Sequence, residues 1–376
     1  MNEVLPDQQR EFLLRLSTAT PRVMVTPALV AINLGVFAIM AALGVSALGG
    51  RADEYLRFGA NFAPLTTGGE WWRLVTCTFV HFGIFHLAFN LWALWDSGWI
   101  TERLFGNAWF GAIYFFAGVA GSCASMLWNQ QVVSAGASGA IFGVYGALLA
   151  YMTVQRGSIP PESLNRLRIS TSTFVVYSLF YGFAQSGIDN AAHVGGLAGG
   201  FAMGLILARP LDASARRTGI ARRVLLAALL AAIALPGAAL LTPDTSRVYR
   251  QAIELQKEIE LFSTEEGRLL AAFRSLVEQT RSGKLSNTKA LKQLRADMLP
   301  AWNAAVARLA RIELDPKAPA HPDYELLLRY AQARRDTMVV IADYMETGNP
   351  ALERRVGELQ HAADDALKLY RERQKK

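Results

Sequence analysis

The chain has 376 residues, of which 52% are hydrophobic and only 18% charged, and it carries a formal net charge of +7. So apolar a composition belongs to the membrane class rather than to ordinary soluble enzymes. The basic excess makes no nucleic-acid interface, because no Lys/Arg run interleaved with aromatics occurs. Cys77 and Cys123 lack metal-ligand spacing and form no disulfide framework, so neither a metal nor a cofactor is expected.

In chain order, Glu3, Asp7 and Glu11 precede the first apolar run, and no small-residue cleavage site follows it. That run is expected to be a retained anchor rather than a cleaved signal. Spans of about twenty apolar residues mark membrane helices, expected at 25–46, 82–101, 107–128, 138–155, 169–187, 190–208 and 222–241. The second carries polar residues, the fifth and sixth are joined by the tight turn "SGIDN", and Pro236 should kink the seventh.

Orientation follows from the basic residues. Arg10, Arg15 and Arg22, then Arg103, then Arg156, Arg166 and Arg168, then Arg209, Arg216, Arg217, Arg222 and Arg223 all fall on one side if there are seven spans. The opposite connections "NQQVVSAGA" and "SGIDN" carry no Lys or Arg, although the long loop at about 47–81 holds Arg51, Arg57 and Arg73. The basic side is read as cytoplasmic. An odd number of spans then puts the C-terminal region outside the cytoplasm; if the seventh run falls short of spanning, that region is cytoplasmic instead.

Charges become dense after Asp244. "YRQAIELQKEIELF" and "RLLAAFRSLVEQ" place apolar residues at helical spacing opposite charged faces. Breaks near "SGKLSN", "DPKAPAHPD" and "TGNP" divide the region into four helices arranged as antiparallel hairpins. The expected fold class is all-α, a polytopic membrane bundle of six helices plus a seventh, followed by a soluble helical bundle. The expected division is a cytoplasmic segment 1–24, a membrane core 25–209, a basic linker with the seventh helix 210–241, and an extracytoplasmic helical domain 242–376. That last domain is the candidate surface for a protein partner or for self-association.

Polar residues inside a membrane are costly and need a reason. On this topology Ser138 begins the fourth span, His193 lies near the start of the sixth, and His86 and Asn90 share a face of the second. All three spans descend from the outer side, so their polar groups share one layer. His81, at the edge of the second span, is read as water-exposed. "SGAIFGVYG" carries Gly139, Gly143 and Gly146, and "HVGGLAGGFAMG" carries Gly196, Gly200 and Gly204 at four-residue intervals. Such spacing lets two membrane helices approach nearly backbone to backbone, bringing Ser138 within reach of His193. Taken singly, Ser138 reads as a helix N-cap, and His193, His86 and Asn90 as polar glue between helices. Together they make a nucleophile, a base that takes its proton and donors for an oxyanion, namely the side chains of His86 and Asn90 and the Ser138 N–H. Asp189 is assigned to the outer turn, which makes a dyad rather than a triad.

These residues resemble the rhomboid family of intramembrane serine proteases, over about Arg51 to Arg209. "GASG", with Gly136 and Gly139 about the serine, resembles the nucleophile motif and implies that role for Ser138. "AAHVGGLAGG", with Gly196 and Gly200, resembles the histidine motif and implies that His193 is general base and acid. "HFGIFHLAFN" implies oxyanion support by His86 and Asn90. "GEWWRLVT" implies a structural loop, partly in the membrane, built on Trp72 and Arg73, and "ERLFG" resembles the end of the second span. Phe142 stands where some members carry tyrosine, and its face is expected to pack on the His193 ring. The resemblance also implies access past the fifth span and the 186–190 turn. The C-terminal domain lies outside it.

The expected activity is intramembrane serine endopeptidase, acting on transmembrane protein substrates in the lipid bilayer near its outer face through an acyl-enzyme. The expected location is the plasma (inner) membrane of a bacterium, with a cytoplasmic N-terminus. A non-catalytic rhomboid-like factor that binds membrane segments, and less so a transporter, are the alternatives.

Overall fold

Every long apolar run becomes helix in the computed structural model, which describes residues 7–185, 187–316 and 318–374. Glu3 of the N-terminal segment, Ser186 of the turn after the fifth run and Lys317 of the "DPKAPAHPD" break lie outside the described residues. The architecture is an all-α polytopic bundle. Among the described residues extended pairing is limited to one isolated bridge, Asn61 with Ser134. The chain divides into two compact units, Met1–Ser246 and Arg247–Lys376.

In the first unit α1 (Asp7–Ala19) precedes α2 (Val25–Ala42), α3 (Ile84–Phe105), α4 (Asn107–Trp128), α5 (Ser138–Val154), α6 (Pro161–Ala184), α7 (Asn190–Leu207) and α8 (Ile220–Leu241). Four of these, α2, α4, α7 and α8, are long and apolar enough on their own to cross a bilayer. A fifth candidate is α3 taken with Arg73–Phe79, against which it bends by 95°. Helix α5 is apolar but has only 17 residues, about 25 Å at 1.5 Å per residue. It sits in the middle of the unit, with every residue from Gly139 to Leu148 buried.

The close packing of α5 on α7 follows from glycine. A Cβ on Gly196 would lie 1.9 Å from Gly139 O, and one on Gly200 would lie 2.0 Å from Gly143 O. On Gly204 it would meet Ala147 Cα at 2.7 Å. Helix α4 joins the same seam, a part that the sequence reading did not include: a Cβ on Gly121 would meet Ala192 O at 2.7 Å, and one on Gly195 would meet Ala124 Cβ at 2.3 Å. The backbones are therefore in contact, as small residues at four-residue spacing allow.

Helix ends inside this unit are closed from a distance. The α2 N-terminus has no side-chain cap of its own. The fully buried Glu102 of α3 supplies one, accepting the Met24 and Val25 N–H on Oε1 and the Thr26 N–H and hydroxyl on Oε2, each at 2.7 Å. A carboxylate there satisfies first-turn donors and meets the positive end of the helix dipole. At the other ends, Arg216 and Arg209 donate to the α3 carbonyls of Leu104 and Phe105, and Arg223 donates to Ile206 and Ala208 at the end of α7. The sequence reading used these arginines only for orientation, yet three of them also cap helices.

The first loop contains the short helices Ala52–Arg57, Ala63–Thr67 and Arg73–Thr76. Arg73 is 6% exposed and gathers this loop. It donates to Leu56 O and Ala60 O at 2.7 and 2.9 Å, pairs with Glu70 at 2.6 Å and lies against the Trp72 ring.

In the second unit α9 (Ser246–Arg281) is followed by α10 (Asn287–Gln293), a π turn over Leu294–Met298, α11 (Leu299–Ala310), α12 (His321–Thr347) and α13 (Pro350–Arg373). Pro300 has no N–H to give the α ladder, and the π turn immediately before it carries the helix past that gap. The core is Phe262, Leu269, Trp302, Leu309, Tyr330 and Met338 with their neighbours. Arg308 bonds Glu258 and Glu265 across this core's edge, and Glu265 raises the Arg308 guanidinium pKa further above its ordinary value.

Candidate active site

The segment before α5 is pinned by backbone bonds. Asn61 and Ser134 exchange N–H···O bonds of 2.8 Å, and the Gly136 N–H donates to Cys77 O at 2.9 Å. Asn61 also bonds Ser122 O and accepts from Thr66. Gly136 holds φ at +123°, a conformation that glycine adopts without strain. The chain then enters α5 with Ala137 at the cap position and no side-chain cap bond. Ser138 is thus the first helical residue and not an N-cap.

Its hydroxyl instead meets α7. Ser138 Oγ lies 2.8 Å from His193 Nε2. With the imidazole proton on Nδ1, the hydroxyl donates to Nε2, as activation of a serine requires. Asp189 caps α7, its carboxylate accepting the Ala192 N–H at 3.0 Å, and no hydrogen-bond partner among the described residues meets His193 Nδ1. The arrangement is a pair without an orienting carboxylate. The ring is held by stacking instead: Phe142 lies parallel to it, with centroids 4.3 Å apart and planes 10° apart.

His86 and Asn90 of α3 stand beside the serine loop. A Cβ on Gly136 would lie 2.9 Å from His86 Nε2 and 3.8 Å from Asn90 Nδ2. His86 Nδ1 accepts the Phe82 N–H at 3.3 Å, which leaves the proton on Nε2, the nitrogen turned toward Gly136. Asn90 Nδ2 donates one hydrogen to His86 O at 2.9 Å and keeps a second. The Ser138 N–H, in the first turn of α5, has no intrahelical acceptor. Three donors therefore belong to residues that line one cavity with Ser138.

His81 corrects the sequence reading. It is buried, not in water, at 1% exposure. Its Nε2 accepts the Ala137 N–H at 3.4 Å, its Nδ1 is 3.3 Å from Phe79 O, and its ring lies edge-on to His86. It holds the residue that precedes the serine. No local pattern announces this, since the partner is a backbone group 56 positions away.

Ser138, His193, His86, Asn90, Gly136, Gly139 and Phe142 all line one cavity of about 610 Å³. Its lining is also aromatic, with Phe85 and Phe89 from α3 and Phe174, Tyr177 and Tyr181 from α6. Trp72 and Arg73 do not line it; they organise the first loop. Gly196 and Gly200 do not line it either, and act through the seam. No group of three or more His, Cys, Asp or Glu suited to a metal occurs among the described residues.

Residues 68–210 match the family model of the rhomboid domain. The chain is 39% identical over 210 residues to the rhomboid protease GluP of Bacillus subtilis, covering 55% of this chain and 39% of that protein. It is 33% identical over 139 residues to the putative rhomboid protease YdcA of the same organism, covering 37% and 68%. With the rhomboid protease AarA of Providencia stuartii it shares 30% over 195 residues, covering 46% and 69%. The chain thus spans well under half the length of the first relative and about two thirds of the other two.

Proposed function

The chain belongs to the rhomboid family, and from that premise we propose that it is a serine endopeptidase that cleaves transmembrane segments of other proteins. It is a multi-pass membrane protein. The observation that carries the reading is the 2.8 Å contact of Ser138 Oγ with His193 Nε2, beside the donors of His86 and Asn90.

Ser138 Oγ attacks the scissile carbonyl carbon while its proton passes to His193 Nε2. The oxyanion takes hydrogen bonds from the Ser138 N–H, His86 Nε2 and Asn90 Nδ2, donors already in place before charge develops. The intermediate collapses, the C–N bond breaks, and the leaving amine takes the proton from His193. Water then gives a proton to His193 and attacks the acyl ester; the proton returns to Oγ as the carboxyl product leaves. Phe142 keeps the imidazole in plane through both transfers.

A helical substrate has its backbone bonds satisfied, so it must unwind to present a carbonyl, which favours small or helix-breaking residues at the cut. The exposed aromatics Phe85 and Tyr177 at the cavity wall support side access between α3 and α6. The arginine pattern supports a cytoplasmic N-terminus, a dyad near the outer face of the membrane and an extracytoplasmic domain from 242 onward.

The test is cleavage of a model transmembrane substrate by the full chain in proteoliposomes. Wild type cuts it, and Ser138→Ala and His193→Ala each lose at least about a thousandfold. A folded wild type that cuts none of a panel of substrates puts the binding-factor reading ahead, and solute flux would favour a transporter. A cysteine placed after Thr242 should react with an impermeant reagent in intact cells; reaction only after lysis overturns the topology.

A further inference from the structure

At the end of the helices away from Ser138 the structure gathers cations that form no ion pair among the described residues. His86 and Arg103 are both on α3, seventeen residues apart, about 25 Å at 1.5 Å per residue. Arg216 is buried to 9% exposure. A Cβ on Gly106 would lie 3.6 Å from Arg216 Nη2 and 3.7 Å from Arg209 Nη2, so two guanidiniums converge over one glycine. Thr20, which bonds Arg103 in both directions, is 3.8 Å from the same point.

Each arginine spends part of its fork on backbone carbonyls, but not all of it. Arg103 Nε, Arg209 Nε and Arg216 Nη1 are buried with no hydrogen-bond partner among the described residues. No ion pair forms between any of the three and a carboxylate among the described residues, and the nearby Glu102 is committed to α2. Burial, then the charges of Arg216 and Arg223, lower the Arg209 guanidinium to a pKa of about 10, which still leaves it a cation near neutral pH.

Gly106 is also the N-cap of α4, a 22-residue helix with no side-chain cap bond at that end. The N–H groups of its first turn have no acceptor inside the helix, and its dipole favours an anion there. Gly106 has φ +88° and no side chain to cover these donors. Trp109, next on the same turn, lies under Arg209 with 5.6 Å between the guanidinium carbon and the ring centre.

We propose that Arg216, Arg209 and the N-terminus of α4 form a phosphate-binding site, filled by the phosphate of a lipid headgroup or by free phosphate. Buried guanidiniums leave donors unmet at a cost that a tetrahedral, multiply charged acceptor removes, and their planar forks suit phosphate oxygens. A carboxylate of the chain would have done the same, and among the described residues none pairs with these arginines.

The experiment is a titration of the purified full chain in neutral detergent, read by native mass spectrometry. The probes are short-chain phosphatidylglycerol, phosphatidylcholine as the zwitterionic control, and inorganic phosphate. The full chain should hold phosphatidylglycerol at least about tenfold more tightly than phosphatidylcholine, and Arg216→Gln should lose about tenfold. The exposed Arg217→Gln should lose less than about twofold. Because Arg216 also closes α3, Arg209→Gln is made alongside, and both variants are checked for helicity by circular dichroism and for monodispersity. Saturation by inorganic phosphate, with displacement of the lipid, assigns the site to free phosphate; lipid binding that phosphate leaves untouched assigns it to the headgroup. Equal lipid affinity in wild type, Arg209→Gln and Arg216→Gln, together with no phosphate binding that depends on either arginine, overturns the proposal.

Discussion

Helix α8 and the seam of α5 with α7 are both apolar membrane segments, yet they are held in opposite ways. No residue of α8 is buried, and a Cβ on its Gly237 would meet nothing within 4 Å. In the seam, added methyl groups on Gly196 or Gly200 would collide with the facing backbone. Hydrophobicity puts both segments in the bilayer, but it provides no force between helices there. Fixed geometry comes from small residues and from polar groups that close helix ends. The seam has both and carries the serine and the histidine. Helix α8 is joined to the core by one apolar face and by Arg223.

Four substitutions bear on this contrast, in falling order of effect. Glu102→Ala leaves the Met24, Val25 and Thr26 donors without an acceptor and should destabilise by about 3–5 kcal/mol; a melting curve within error of wild type would show that α2 is not held through this cap. Gly200→Ala forces the seam apart and should cost about 2–3 kcal/mol, with substrate cleavage falling at least about tenfold as Ser138 and His193 separate. Retained activity would mean that the contact does not depend on the seam. Arg223→Gln removes charge-assisted bonds to the end of α7 and should cost about 1–2 kcal/mol by thermal unfolding in detergent. Gly237→Ala should leave stability unchanged or raise it by up to about 1 kcal/mol; a clear loss would reveal a close neighbour of α8.

The seam's glycines are visible in the sequence because the four-residue interval of Gly196, Gly200 and Gly204 is local, and helical geometry alone puts them on one face. The helices of the C-terminal unit are visible for the same reason, in their breaks and periodicity. What could not be read depends on partners far along the chain. His81 contacts Ala137, Asn61 pairs with Ser134, and Arg216 reaches Leu104; a single sequence carries no register for such pairs. The arginines are instructive, because position among spans marks them as orientation signals while their second use, closing helix ends, shows only once the carbonyls are placed. Glu102 is similar: its motif signals the end of a helix, but the helix that it caps is another one.

The central claim is that His193 activates Ser138, and labelling by a fluorescent fluorophosphonate tests it most directly. The purified full chain is labelled beside Ser138→Ala and His193→Ala, each checked for folding by its melting curve. Wild type should label, and both variants should not. Labelling that persists in folded His193→Ala or Ser138→Ala, or a folded wild type that never labels, would contradict the account.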